Sequence, residues 1–235
     1  DFGIFECFHG VWHGVLAYTS YDLQEALTIC ESLASPFTKD ACMGGVFMEN
    51  IVTGQGNGAV EGHTTKWLSD DLHFPCNTLE ESAQISQCYL MQTSWMLHKS
   101  SYNFEAIKDE CLEAPENFIA SCYQSYGRDS AGFHLRDPQK TISSCSLVPQ
   151  KYFDTCINGA VQVIVDFWGQ KVEGKAFEFC QEIEDSQSHS KCTMLVTARL
   201  SGLFPTKEEA QSKCEFAGED KSICGCADVR MCESI

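Results

Sequence analysis

The sequence predicts an all-α protein: an α-solenoid of about six disulfide-locked helical hairpins with a half repeat at the N-terminus, forming one domain over 1–235. Two observations predict it. The first is a ruler of cysteines among the fifteen in the chain: Cys30, Cys76, Cys111, Cys145, Cys180 and Cys214 follow one another at 34 or 35 residues, with one step of 46. Each is followed 10 to 12 residues later by a second cysteine, namely Cys42, Cys88, Cys122, Cys156, Cys192 and Cys224, and Cys7 fits this second series, 35 residues before Cys42. A period near 35 is the length of one helix–turn–helix unit in a stacked array. The second is apolar residues at helical spacing on both sides of each cysteine pair.

The elements follow in order within the repeat. Three residues after each first cysteine stands Leu33, Leu79, Ala114, Val148, Ile183 or Ala217, a C-x-x-Φ pattern that places both residues on one helical face. Four residues before it stand Ala26, Leu72, Ile107, Thr141, Ala176 and Ala210. An amphipathic helix is therefore expected ahead of each first cysteine, clearest over 21–33 and 175–184. Thr206 and Glu209, just after Pro205, form the pattern of a capping box opening the last of these. The second cysteine opens a further apolar stretch, as at 45–52, 89–97, 157–168 and 194–204. Residues 161–165, Val-Gln-Val-Ile-Val, read locally as a strand, but their place in the repeat assigns them to a second helix. The 46-residue step comes from an insertion near 53–67, where Gly54, Gly56, Gly58 and Gly62 break the helix, and a loop projecting from one edge of the array is expected there.

In a helical hairpin the end of the first helix lies beside the start of the second, so cysteines at those places can bridge once their Cα atoms come within about 7 Å. The expected pairs are Cys30–Cys42, Cys76–Cys88, Cys111–Cys122, Cys145–Cys156, Cys180–Cys192 and Cys214–Cys224, each stabilising by roughly 3 kcal/mol. Cys7, Cys226 and Cys232 remain. A local Cys226–Cys232 bridge, with Cys7 free or bound to metal, is the preferred reading. The alternative is a head-to-tail contact between copies of the chain, which would propagate into a filament unless it closes a ring.

So many regularly paired cysteines, without paired C-x-x-C metal spacing, point to a disulfide framework in an oxidising compartment, extracellular or periplasmic. The chain begins at Asp1, which fits an exported protein whose signal peptide has been removed. No run of 18 apolar residues occurs, so no membrane span is expected. A formal charge of −17, spread along the chain, repels phosphate backbones and excludes nucleic acid as a partner.

Period and cysteine placement together resemble the Sel1-like and tetratricopeptide class, in particular cysteine-rich bacterial secreted proteins whose helical hairpins are each locked by a disulfide. The W-x-x-L-G and alanine signatures of ordinary tetratricopeptide repeats are missing, and the intra-unit cysteine spacing is wider than in that family. The resemblance implies a scaffold that binds peptides, glycans or other proteins.

Polar residues inside the second helices mark the candidate sites, because burying them unpaired is costly. Six and seven residues after the second cysteine come His13, Met48, Ser94, Arg128, Gln162 and Ala198, then Gly14, Glu49, Trp95, Asp129, Val163 and Arg199; neighbouring rows hold His9, Gln92 and Gln124. Stacked helices would align these along a groove, with Gln92, Gln124, Arg128 and Asp129 as ligand-binding candidates. His9 and His13 sit at i and i+4 and can chelate one Zn or Cu ion, with Glu49 as third ligand, although Gly10 stands where H-E-x-x-H enzymes carry glutamate. Packing of the two histidines in a helix interface is the preferred reading of that motif. Arg128–Asp129 would present a fork to an anionic ligand or close on itself as a buried ion pair. The sequence is therefore read first as a secreted, disulfide-stabilised binding scaffold or subunit of an extracellular assembly, with a protein, a glycan or itself as partner. The alternative is a metal-dependent hydrolase or oxidant with the His9/His13/Glu49 site in the groove.

Overall fold

A computed structural model of the chain describes residues 14–56, 64–168, 174–203 and 206–224, with only the backbone of 168, 207, 210 and 211. Among the described residues every regular element is helical. Backbone contacts divide the chain into two compact units that part between Ser125 and Tyr126.

The first unit opens with a helical end at 14–18 and then α1 (Leu23–Glu31) and α2 (Pro36–Gly54). It continues through a 3-10 turn at Cys76–Thr78 to α3 (Ser82–Lys99), then α4 (Phe104–Ile107), a 3-10 turn at Glu110–Glu113, and the start of α5 (Ile119–Phe133). The second unit holds the rest of α5, then α6 (Pro138–Cys145), α7 (Phe153–Trp168), α8 (Gly174–Gln181) and α9 (Ser186–Leu203). It ends with α10 (Lys207–Ser212), a kinked 3-10 stretch at Lys213–Asp220 and α11 (Lys221–Cys224).

All six expected disulfides are present: Cys30–Cys42, Cys76–Cys88, Cys111–Cys122, Cys145–Cys156, Cys180–Cys192 and Cys214–Cys224, with Cα–Cα distances of 5.4 to 5.6 Å. Cys7, Cys226 and Cys232 lie outside the described residues. Every bridged cysteine is buried, so each clamp is part of the core of its hairpin.

The second cysteine does not open its helix. It sits at the seventh residue of α2, α3 and α9, where the cysteines are 12 apart, and at the fourth of α5 and α7, where they are 11 apart. The two shorter links begin with Pro115 and Pro149 in extended conformation and enter the helix through a 3-10 turn. The link into α2 instead starts at Ser35, whose side chain and that of Thr38 cap each other's backbone, with Pro36 at the first helical position.

Three expectations are corrected. The C-x-x-Φ residue does not extend the first helix: the backbone N–H of Leu33, Ala114, Val148 and Ile183 donates to the carbonyl of its cysteine at 3.0 to 3.4 Å, closing a tight turn that ends the helix. Ahead of Cys76 and Cys111 the first helix is not a full amphipathic α-helix. The former is preceded by turns and the latter by the single turn of α4, because Pro75 and the charged run Lys108–Glu110 interrupt the pattern. The insertion does not project over its described part: residues 64–67 lie back on the helices, held by side chains described below. Residues 57–63 lie outside the described residues.

Residues 161–165 are helical within α7. Val161, Ile164 and Val165 are buried at i, i+3 and i+4, so core packing overrides their strand propensity. In this unit Gly127 meets Cys156 so closely that a Cβ would stand 1.8 Å from the Cys156 carbonyl oxygen, and α5 packs on α7 backbone to backbone. Arg199 forks onto Asp166 at 2.8 and 2.5 Å and Lys191 reaches Asp154 at 2.6 Å, tying α9 to α7. In the first unit the matching surfaces of α3 and α5 carry small hydroxyls, Thr93 against Ser125 at 2.5 Å and Ser86 against Ser121 at 3.1 Å.

Successive hairpins are joined in three places by one device. Ser20–Tyr21, Ser101–Tyr102 and Leu135–Arg136 all have left-handed φ of 52° to 66°, and all stand ten and nine residues before a first cysteine. The second of each pair returns its N–H to a carbonyl five residues back: Tyr21 to Leu16 at 2.9 Å, Tyr102 to Leu97 at 2.7 Å and Arg136 to Ala131 at 2.8 Å. The next residue, Asp22, Asn103 or Asp137, caps the following helix by accepting the N–H three residues on. Thr206 and Glu209 form the expected reciprocal capping box at the start of α10.

Candidate functional site

The buried polar side chains of α2 and α3 hold the insertion. Asn50, 1% exposed, donates through Nδ2 to the Trp67 carbonyl at 3.0 Å and accepts the Thr65 hydroxyl at 2.5 Å. Gln92, also 1% exposed, donates through Nε2 to the carbonyls of Leu72 at 2.8 Å and Phe74 at 3.0 Å. Trp95 Nε1 donates to the Ser69 carbonyl at 2.9 Å and Trp67 Nε1 to the Tyr21 carbonyl at 3.0 Å. Residues 64–75 form little regular structure, so their carbonyls have few backbone partners and the helices supply side-chain donors instead.

Beside this segment lies a polar corner that the sequence reading did not single out. His73 Nδ1 is 3.2 Å from Tyr89 Oη, and His73 Nε2, buried and without a hydrogen bond, faces Glu110 Oε2 at 3.9 Å. Burial, reinforced by the nearby Asp71 carboxylate, pushes the Tyr89 phenol up to about 12, so it remains a donor. Asp71 is held below the usual carboxylate range by the His73 backbone N–H at 2.9 Å, then by the Asn77 amide at 2.9 Å. The corner couples 71–73, α3 and the 3-10 turn that holds Cys111. Its one sequence signal is that His73 and Tyr89 stand three residues before Cys76 and one after Cys88.

The remaining predicted residues fall as follows. Glu49 is half-buried on α2 and its Oε1 accepts the Thr53 hydroxyl at 3.3 Å, while His9 and His13 lie outside the described residues. Among the described residues no three metal-ligating groups converge. Gln124 is half-buried on α5. Arg128 closes on its neighbour, with Nε and one Nη on Asp129 Oδ1 at 3.1 and 2.8 Å, and the two side chains are 17% and 13% exposed. The two side chains thus form an ion pair with each other.

Open surface concavities lie elsewhere, between a first helix and the link of the following hairpin. In the second unit α6 and the Cys180–Cys192 link bound a cleft of about 600 Å³, with Gln139, Ser143, Ile183, Glu184 and Asp185 in its lining. In the first unit α1 and the Cys76–Cys88 link bound one of about 320 Å³, with Gln24, Thr28, Leu79, Glu80 and Glu81. Counted from the cysteines, these are the same positions: glutamine six before, a hydroxyl two before, then an aliphatic residue and two acids three, four and five after the next first cysteine. The repeat thus builds one surface feature twice.

No described helix is long and apolar enough to cross a membrane. Comparison with protein-family models, curated proteins and solved structures returns no match.

Proposed function

We propose that the chain is an exported, non-catalytic binding scaffold: an α-solenoid of disulfide-clamped hairpins, of the kind its resemblance to Sel1-like repeats implies, that engages a protein or glycan partner or further copies of itself. One observation carries the reading, the recurrence of the same clamp with the same Cα–Cα separation in six consecutive hairpins. An enzyme needs one constellation in one place, whereas a scaffold needs the same surface offered repeatedly, and repeated hairpins supply that. The polar residues that stand out within its helices fit this reading, since Asn50, Gln92 and Trp95 support the fold. Six short-range disulfides, which persist in oxidising compartments, support export. Chemical cross-linking of native-source material, followed by mass spectrometry, tests the proposal. A stoichiometric second polypeptide, a glycan adduct or a ladder of this chain is expected; a lone, unmodified monomer at every concentration overturns it.

A further inference from the structure

The cleft between α6 and the Cys180–Cys192 link has two kinds of surface. Its floor is apolar: Phe153 and Ile183 are 9% and 4% exposed, and Ile142 is half-buried beside them. Its rim is acidic, with the exposed side chains of Glu182, Glu184 and Asp185. The cations of this unit whose ion pairs are described make them elsewhere, Arg128 with Asp129, Lys140 with Asp137, Lys175 with Glu178, Lys191 with Asp154 and Arg199 with Asp166, although the charge of Lys191 also acts on Asp185. Among the described residues none makes an ion pair with Glu182, Glu184 or Asp185. Asp185 already accepts the Ser188 N–H at 2.8 Å and Glu182 is approached by the Gln139 amide at 3.5 Å, while Glu184 has no such bond among the described residues.

A metal ion would need several of these oxygens at one point, and they do not converge. A long basic side chain needs only one or two carboxylates for its head and an apolar track for its stem. The recurrence narrows the feature further. Paired acids at these two positions occur in the links that bound these two clefts; the corresponding pairs in the other four links are Ala34–Ser35, Pro115–Glu116, Pro149–Gln150 and Gly218–Glu219. We infer that the α6 cleft receives a lysine or arginine side chain of a basic partner polypeptide, its stem over Ile142, Phe153 and Ile183 and its head at Glu182 and Glu184. The α1 cleft repeats the paired acids, but Thr78 stands where the α6 cleft has Glu182 and Leu79 is the one apolar residue in its lining, so the inference is confined to the α6 cleft. The inference rests on the scaffold reading and names the chemistry of its partner.

The test is a titration of ¹⁵N-labelled full chain, disulfides intact, with acetylated and amidated tetra-lysine at about 20 mM salt, where surface charge is weakly screened. Saturable amide shifts are expected at Ser143, Ile183 and Glu184. The double variant Glu182→Gln/Glu184→Gln should weaken binding about fivefold, as loss of two exposed charge contacts predicts. Glu113→Gln/Glu116→Gln removes the same charge from the proline link ahead of α5 and should change it less than about twofold. Ser143→Lys, at an exposed helical position, places a competing ammonium in the cleft and should abolish the shifts. Equal weakening in both double variants would mean that net charge alone attracts the peptide, and shifts confined to other residues or no saturable shift would equally overturn the cleft. None of these outcomes touches the scaffold reading, which stands or falls on the native cross-linking.

Discussion

Gln92 stands in the middle of a helix and holds the chain's own backbone. Its amide is spent on two carbonyls, those of Leu72 and Phe74, that the irregular segment leaves without partners. Gln92→Leu keeps the volume but strands those carbonyls, and should lower stability by about 2 kcal/mol, read as a fall in the urea midpoint at unchanged slope. A loss below about 0.5 kcal/mol would mean that water satisfies them. Gly127 makes the complementary case. Any Cβ there meets the Cys156 carbonyl at 1.8 Å, which is backbone and has no room to turn aside. Gly127→Ala should therefore cost on the order of 3 kcal/mol, whereas Gly132→Ala, with open space at its Cβ, should be neutral or stabilising. The sequence pointed to polar residues in the second helices but not to their partners. Gln92 was among them and Asn50 was not; the partners of both lie 15 to 20 residues away in a segment with no periodicity, so no local pattern encodes them. Arg128 and Asp129 were legible as a fork for an anion or an ion pair, and the pair is formed.

At the scale of elements, cysteine spacing located each hairpin but not where its helices begin. The spacing fixes where two helices meet, whereas the starts depend on caps and proline links that vary between units, Ser35–Pro36 in one and Pro115 in another. The connector was present in the sequence as Thr-Ser-Tyr-Asp-Leu at 19–23 and Ser-Ser-Tyr-Asn-Phe at 100–104, ahead of α1 and α4. It went unread because its two left-handed residues are not glycine. Such residues cost about 1–2 kcal/mol each. Leu135, with φ 53° and 73% exposed, loses little burial on replacement. Leu135→Gly should thus raise stability by about 0.5 kcal/mol, the relief exceeding the added chain entropy; a loss of stability would show that the side chain packs. The caps predict an acid response. Asp137 and Asp185 lie below the ordinary value of 3.8, chiefly because the backbone N–H groups of Lys140 and Ser188 bond the charged form. A carboxyl depressed on folding contributes stability above that value and loses it as pH falls through the folded one. Asp137→Asn/Asp185→Asn, which keeps both caps without titrating, should lose less melting temperature than the parent between about pH 5 and pH 3. Parallel losses would assign the acid response to other groups.

At the scale of the whole molecule the disulfides decide how stability is distributed. Each closes a loop of 10 to 12 residues within one hairpin, and none of the six links distant parts of the chain. Clamps of this kind stabilise by restricting the unfolded chain, by roughly 3 kcal/mol each, so full reduction should remove most of the folding free energy of a domain this size. In the proposed solenoid each hairpin contacts only its neighbours, and the loss of one clamp should remain local. Cys30→Ala/Cys42→Ala should therefore speed amide exchange in α1 and the first half of α2 while leaving α7 and α9 close to their original protection. Cys180→Ala/Cys192→Ala should do the reverse, exposing α8 and the start of α9 and sparing α2. If either pair speeds exchange uniformly from α1 to α9, the chain unfolds as one cooperative body. The nearest-neighbour array predicted from the cysteine ruler would then be the wrong account of its stability, although the six pairs themselves are in place.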